Sequence, residues 1–299
     1  MQLGNPSNAT ADTNNHEHFL IQRAVEAIDY NDNLGEPNWA SWDLTASDLG
    51  SEQGPLTFHT DTNLPPNFNR ITPGDYTHSG YDRGHLCPSA DRTDTTNDNK
   101  LVFFMSNIMP QTPDNNEGPW ERLETYCRVL AQTNELLIMC GPNGFGGGSV
   151  NTNGEVFIPD YTWKIIVVVP QGDGTALSRI TTSTRVIAVN VPNISGIRNT
   201  PWTNFLTSVN VIQINTGFTF LTSVPQNVAA VLRARVDGVP DAALAISFSG
   251  TNVIVRWPSS LAGFSLQQSG DLGTTNWTTF SGTVGDNGTT RSATNSSLK

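Results

Sequence analysis

The chain has 299 residues, with 16 Lys and Arg against 27 Asp and Glu, which gives a net charge of −11 at pH 7. A chain of this length can bury a sizeable core in one large domain or in two. The acidic balance argues against a broad electrostatic surface for nucleic acid, so an anionic substrate would have to be bound by a few local cations.

The sequence predicts a soluble, exported protein. No stretch approaches the roughly 18 consecutive apolar residues that a membrane span needs, and the first residues lack the basic and apolar regions of a secretion signal. The low Lys content, with many Asn, Thr, Ser and Gly, is typical of exported bacterial proteins whose signal has been removed. We therefore expect a secreted or periplasmic location.

The three cysteines are Cys87, Cys127 and Cys140, and the odd number leaves at least one thiol unpaired within the chain. Cys140 closes the apolar run 136–139, which is typical of a small buried core residue. A bridge between Cys87 and Cys127 stays open at this point.

The first third of the chain predicts strands and a long loop. Residues 19–30 leave helix and strand balanced, whereas residues 37–44 alternate as a strand does. Residues 45–80 are rich in Thr, Pro, Asn and Gly, which predicts a long ordered loop. The apolar run 101–105 predicts a short buried strand.

Further along, Gly118-Pro119 is a helix-start signal, and Leu123, Cys127 and Leu130 share one helical face. Glycine-rich residues 141–154 match neither a P-loop nor a dinucleotide fingerprint and predict a mobile hairpin loop. Residues 209–220 are ambiguous. The remaining predicted elements are central strands at 163–169 and 185–189, a strand at 136–140 and an amphipathic helix at 225–236.

The composition changes at Gly238, after which short alternating segments are separated by turns. We predict two domains, a large one over 1–238 and a small all-β, β-sandwich-like module over 239–299. The module ends in Ser, Thr, Asn and Gly without a final apolar strand, which indicates that it is truncated or partly disordered.

The strongest candidate for a catalytic motif is Asp82-Arg83-Gly84-His85, which places an acid, a cation, a flexible residue and an imidazole side by side. Histidine can act as a base near neutral pH. Arginine is a planar, two-pronged ligand for phosphate. Glycine would let the backbone turn sharply between them.

A second set recurs every four residues: Asn116, Trp120, Glu124 and Arg128. On a helix these positions form one slowly turning stripe. An amide oxygen, a carboxylate and a guanidinium together suit a hydrated divalent cation beside a phosphate, because Mg²⁺ prefers oxygen ligands and keeps several waters. The alternative is an ordinary solvated face with a Glu124–Arg128 pair.

These motifs closely resemble the DNA/RNA non-specific endonucleases, which are ββα-metal, or His-Me finger, nucleases. The resemblance rests on four ordered segments, 81–85, 88–92, 107–116 and 120–124, and weaker likeness extends from about Leu3 to Asp237. It implies an α+β fold in which a hairpin and a helix carry the site beside a central, mostly antiparallel sheet. It also implies that residues near 24–30 form a strand.

The resemblance also implies roles for individual residues. His85 is similar to the family's general base, Asn116 to the protein ligand of one Mg²⁺ (Mn²⁺ or another divalent ion being open), and Glu124 to the residue that orders metal-bound waters. Arg83 and Arg128 match positions that touch the phosphate, and Asp82 belongs to the same catalytic motif. The expected reaction is hydrolysis of single- and double-stranded DNA and RNA to 5′-phosphate products, without a required protein partner.

One departure concerns phosphate binding, since the family carries a further Arg near residues 51–54 and this chain has none there. Arg70 or Arg92 could substitute, and we expect activity to fall steeply with added salt. Two alternatives to a nutritional or defensive nuclease stay open: a toxin or effector nuclease, and an extracellular binding or adhesion module with a decayed site.

Overall fold

The computed structural model describes residues 1–52, 57–151, 155–239, 244–259, 265–270 and 276–295. The chain divides into two compact units, Met1–Asp237 and Gly238–Lys299. Within the described ranges, no helix is long and apolar enough to cross a membrane.

A six-stranded antiparallel sheet forms the centre of the first unit, with strand order β1-β2-β3-β6-β7-β8. Two further strands, β4 and β5, pair with each other in a separate two-stranded sheet. In chain order the strands are β1 (Phe19–Gln22), β2 (Ala27–Asn31), β3 (Glu36–Leu44), β4 (Asp82–His85), β5 (Ile108–Gln111), β6 (Asn134–Asn143), β7 (Tyr161–Pro170) and β8 (Arg185–Pro192).

Both faces of this sheet are covered, which explains why its middle strands are continuous apolar runs rather than alternating ones. Along β7, Ile165 and Val167 pack into the core on one face, and Ile166 and Val168 pack into the core on the other. Each core therefore receives every second residue of the same strand.

Six helices are described: α1 (Thr96–Leu101), α2 (Pro113–Asn115), α3 (Glu121–Ala131), α4 (Ala176–Arg179), α5 (Val209–Thr216) and α6 (Gln226–Ala234). Helices α5 and α6 cover one face of the sheet, and α3 buries Leu123, Cys127 and Ala131 against the other. A wide π-turn over Asn116–Trp120 joins α2 to α3. Short 3-10 turns lie at Ala46–Asp48, Pro73–Tyr76, Ser89–Asp91, Met105–Asn107 and Trp202–Phe205.

The β4–β5 hairpin lies before α3, so the chain has the predicted order of hairpin and helix. Its register pairs Asp82 with Gln111 and His85 with Ile108. Gly84 is in extended backbone in this hairpin and makes no sharp turn, contrary to our expectation. It is needed for space, because an added Cβ would lie 2.6 Å from Cδ of the buried Gln111 side chain.

The second unit contains a four-stranded antiparallel sheet, β13-β14-β10-β9, and a separate pair, β11 and β12. A small core holds Trp257 and Ala293 against Val255, Leu266 and Phe280. The strands are β9 (Ala245–Ser249), β10 (Asn252–Pro258), β11 (Gln267–Gln268), β12 (Thr278–Thr279), β13 (Val284–Asp286) and β14 (Thr290–Asn295).

Several expectations are confirmed: a strand near 24–30, as the resemblance implied, strands at 37–44, 136–140 and 163–169, and a helix at 225–236. The prediction of a strand at 101–105 is wrong, since this run ends α1 and continues into a 3-10 turn. β8 lies at the edge of its sheet and not in the centre.

The polar tail ends its described part in a strand, and the expected truncation or partial disorder of the module stays a prediction. It contains β14, which pairs along β10 from Val253–Asn295 to Pro258–Thr290, so strand character there does not depend on an apolar run. The open question of a Cys87–Cys127 bridge is answered as well, because all three cysteines are buried free thiols.

Candidate active site

His85, at the end of β4, is half-buried between two aromatic rings. Its ring centroid lies 5.1 Å from that of Phe58 and 4.9 Å from that of Phe103. Its Nε2 atom is buried and has no hydrogen-bond partner among the described residues. Burial lowers the pKa of His85 to about 4, so the imidazole is neutral at pH 7.

Asn116 and Asp82 are joined across the gap between the π-turn and the hairpin. Nδ2 of Asn116 donates to Oδ2 of Asp82 at 3.0 Å. A carboxylate accepts hydrogen bonds, so the amide nitrogen must face it and Oδ1 of Asn116 must face away. Asp82 therefore orients the oxygen that would bind a cation.

Arg83 is anchored by the loop that precedes the hairpin. Its Nε and Nη2 atoms donate to the carbonyl of Pro73 at 3.2 and 2.7 Å, and its guanidinium lies 5.5 Å from the centroid of the Phe58 ring. These contacts fix the plane of the guanidinium beside His85.

These four side chains line one cavity of about 570 Å³, which is also bordered by Phe58, Tyr76, Thr77, His78, Tyr81 and Glu117. We call it the hairpin pocket. It brings Asp82, Arg83 and His85 of the hairpin together with Asn116, which follows His85 by 31 residues in the chain. Glu124 and Arg128 are not among its lining residues.

Glu124 instead forms a buried ion pair with Lys164 of β7, with 3.2 Å between Oε1 and Nζ. Lys164 is only 1% exposed, and its ammonium lies 4.1 Å from the centroid of the Trp120 ring. Burial raises the pKa of the Glu124 carboxyl, and the charge of Lys164 opposes that rise. The alternative of a Glu124–Arg128 pair on a solvated face is thus wrong.

Arg128 donates to the carboxylate of Asp91 at 3.2 Å and to the hydroxyl of Thr125 at 2.7 Å. Asp91 also accepts from the indole of Trp42 at 3.1 Å. The guanidinium of Arg128 is therefore already paired, and its match to a phosphate-contacting position stays a prediction.

Arg92 cannot substitute for the missing upstream Arg, because it is 2% exposed and donates to the carbonyls of Val25 and Asp43. Arg70 lies at the surface and donates to the carbonyl of Leu64. Of residues 51–54, where the family has its arginine, 53 and 54 lie outside the described residues.

The sequence matches the family model of the DNA/RNA non-specific endonucleases over residues 3–227. The chain belongs to this family. A nuclease of Nostoc sp. is 44% identical over 236 residues, which cover 79% of this chain and 85% of the relative. Nuclease C1 of Cunninghamella echinulata var. echinulata is 29% identical over 74% of this chain and 86% of its own length.

Human mitochondrial nuclease EXOG is 31% identical over 154 residues, 47% of this chain and 42% of its own. A chain in the crystal structure of the EndoG/EndoGI complex has a TM-score of 0.64 at 21% identity and covers 76% of this chain and 91% of that one. This likeness confirms the ββα-metal nuclease fold. The protein is accordingly an endonuclease, a hydrolase of a family that generally uses divalent ions.

The residues of the endonuclease's hairpin pocket fit a hydrated divalent ion. Asn116 offers a neutral oxygen whose direction is fixed by Asp82, and Mg²⁺ characteristically binds through one or two protein oxygens and several waters. In the described part of the chain, no three His, Cys, Asp or Glu side chains are grouped to hold a metal. Asn116 and water would therefore carry the coordination.

Sequence reasoning missed Lys164 and Gln111 in this endonuclease. Lys164 is a single charged residue at an inward position of an apolar strand, and that isolation was the available signal. Gln111 gave no signal, because its importance lies in its packing against Gly84 across the hairpin.

Proposed function

We propose that this endonuclease hydrolyses phosphodiester bonds in both DNA and RNA, single- and double-stranded, and leaves 5′ phosphates. His85 serves as the general base, and one divalent ion, Mg²⁺ by preference, is held through Oδ1 of Asn116. The observation that carries the proposal is the meeting of His85, Arg83 and the Asp82–Asn116 pair in one pocket.

In the proposed mechanism, the proton of the attacking water moves to His85. Because Nε2 is buried, Nδ1 is the nitrogen that faces the reacting water, and the neutral tautomer with its proton on Nε2 leaves the Nδ1 lone pair free. A neutral imidazole at pH 7 can accept the proton of water as the oxygen attacks phosphorus in line with the 3′ oxygen.

Arg83 holds the phosphate during this attack. Two of its nitrogens are fixed by the Pro73 carbonyl, and Nη1 has no partner among the described residues, so it is the donor that we assign to a non-bridging oxygen. A bound divalent ion would stabilise the charge that develops on the phosphate and on the leaving oxygen.

Glu124 acts at a distance in this proposal. Its carboxylate would order waters beside the cation, and Lys164 holds it in position. Asp82 is a positioning residue, because its contact is with Asn116 and not with the substrate.

A digestion assay tests this function. Plasmid DNA and RNA are incubated with the protein and Mg²⁺, with and without a chelator, beside His85→Ala. We expect metal-dependent cleavage of both by the parent, and for His85→Ala a loss of roughly 10²–10⁴-fold in rate, the range typical of a general base.

His59→Ala is the matched control, because His59 packs against Phe104 and does not line the hairpin pocket. It should retain parental activity. A folded parent that binds nucleic acid without cleaving it would favour the binding-module alternative, and undiminished cleavage by His85→Ala would remove His85 from its role. Export to the periplasm or medium stays a prediction.

A further inference from the structure

A second cavity, of about 440 Å³, adjoins the hairpin pocket. Its lining includes Tyr81, Ile158, Pro159, Asp160, Tyr161 and Ile194. Tyr81 lines both cavities, so the two are neighbours on one surface. We call the second cavity the side pocket. Its volume lies within the range of small-ligand sites.

The side pocket has unusually exposed apolar side chains around it. Tyr161 is 41% exposed and Ile194 is 53% exposed, and Phe145 in the adjacent loop is 38% exposed. Large apolar side chains that are grouped at a surface typically mark a binding site. Two of these three side chains, Phe145 and Tyr161, are aromatic.

The glycine-rich loop closes one side of this pocket. The Asp160 amide donates to the Gly144 carbonyl at 2.8 Å, and the Gly146 amide donates to Oδ2 of Asp160 at 3.3 Å. At Gly147 an added Cβ would lie 3.2 Å from Cγ2 of Ile158, so the loop packs closely there. Over its described residues, the loop is thus pinned to the pocket wall.

The charge at the pocket excludes a phosphate and selects a base. Asp160 is exposed and is the acidic side chain in the lining, so it would repel a phosphate at the glycine amides. Its carboxylate can only accept hydrogen bonds. Guanine has two adjacent N–H donors on its Watson–Crick edge, which suit the two oxygens of one carboxylate.

We infer that the side pocket is a nucleobase subsite. It holds one unpaired base next to the scissile phosphate by stacking on its apolar wall, and Asp160 favours guanine there. The inference rests on the proposed function, since it assumes that the hairpin pocket holds the scissile phosphate. Stacking on such a surface is worth about 1–3 kcal/mol per base, or roughly 5- to 150-fold in affinity.

The test uses a series of single-stranded oligonucleotides with one fixed cleavage site. Each oligonucleotide carries one abasic residue, at a different position relative to that site. An abasic residue keeps the phosphate charge and removes only the base. In the parent we expect the abasic residue to slow cleavage about tenfold at one position relative to the cut and much less elsewhere. In Ile194→Ser this position-specific penalty should fall to about twofold or less.

Ile214→Ser is the matched control, because Ile214 is 81% exposed on α5 and lies outside the side pocket. It should keep the parental penalty. Asp160→Asn should reduce the preference for guanosine over inosine, which lacks the 2-amino donor, at the same position. An equal penalty at every position, or the same penalty in parent and Ile194→Ser, would overturn the subsite.

Binding of the same oligonucleotides to the protein is also measured by fluorescence anisotropy in the presence of chelator. This measurement does not require cleavage, so it tests the subsite separately from the proposed function. Affinity that depends on the base in the parent but not in Ile194→Ser supports the subsite even if no cleavage occurs. If the parent cleaves nucleic acid and neither measurement depends on the base, the proposed function stands and the subsite fails.

Discussion

At the scale of single residues, the burial of His85 determines the pH range in which it can act. In the proposed mechanism His85 accepts a proton only when neutral, and its pKa of about 4 keeps it neutral through the mildly acidic range. A nearby divalent cation would disfavour the imidazolium further.

We predict that the cleavage rate at saturating metal falls on the acid side with a midpoint near pH 4. An ordinary histidine would give a midpoint near 6.5. The measurement is a pH–rate profile, with circular dichroism at each pH to confirm folding. A midpoint at or above about 6.5 would show that His85 is not held neutral by burial.

The same shift affects stability. Unfolded His85 takes up a proton near pH 6.5, whereas the folded residue does so only near pH 4. The unfolded state therefore binds more protons between these values, and His85 makes the protein less stable as the pH falls from 6.5 to 4.

Lys164 and Glu124 are a second pair whose effect can be measured residue by residue. We predict that Lys164→Met destabilises the protein by about 3 kcal/mol, because it leaves a buried carboxylate without its cation. It should also raise the Mg²⁺ concentration needed for half-maximal activity. Urea unfolding and metal titration are the measurements.

The double variant Lys164→Met with Glu124→Gln is the control for this pair. It should recover part of the lost stability, since neither charge is then left alone. Losses that simply add in the double variant would show that the two side chains do not stabilise each other.

At the scale of elements, the turn between α2 and α3 positions Asn116, the proposed cation ligand. Gly118 has φ −112° and ψ −116° and interrupts the helix two residues after Asn116. An added Cβ there would lie 2.8 Å from Cα of Arg198, which is a backbone atom and cannot easily move. Arg198 also pairs with Glu117 in the same turn.

Gly118→Ala should therefore displace the turn. We predict a loss of about 1–3 kcal/mol in stability and a reduced apparent affinity for Mg²⁺, because Asn116 moves with the turn. The matched control is Gly172→Ala, where the nearest atom is Cδ of Arg179 at 3.2 Å, in a flexible side chain. Equal effects of the two substitutions would argue against the turn as a positioning element.

At the scale of the whole molecule, the pairing of basic side chains changes the expected salt dependence. The salt dependence of binding follows the number of phosphates that the protein neutralises, with a slope of about −0.9 per contact in a log–log plot. Arg92 is buried and Arg128 is paired with Asp91, whereas Arg83 lines the hairpin pocket and the exposed Arg70 lies outside its lining.

The pairing of these arginines therefore favours a shallower salt dependence than the steep one expected from the sequence. We predict a slope of about −1 to −2 for log kcat/KM against log salt, as one or two phosphate contacts require. The measurement is the initial rate across a series of KCl concentrations at constant Mg²⁺. A slope steeper than about −4 would show that more cations bind the substrate.

Much of this protein was determined by sequence alone. The alternation of residues 37–44 and the β-branched run 163–169 predicted strands because side-chain period and burial are local properties. The order of His85, Asn116 and Glu124 along the chain is part of the family resemblance, and that resemblance implied a hairpin and a helix around one site. The family resemblance also predicted the strand near 24–30, where the local pattern fits a helix and a strand equally well.

Tertiary structure decided the features that depend on a distant partner. The sequence predicted a strand at 101–105, but the run pairs only through a single bridge between Phe104 and His59 among the described residues, and its first residue ends a helix. β14 is polar, and it forms because β10 provides a partner for each of its residues.

The site divides in the same way. The sequence placed Glu124 and Arg128 on one helical face, whereas the fold gave Lys164 to the first and Asp91 to the second. A buried charge pairs with an opposite charge that lies near it in space. The spacing of residues in the sequence does not show which distant residue that is. Only the packing of β7 against α3 brings Lys164 to the carboxylate.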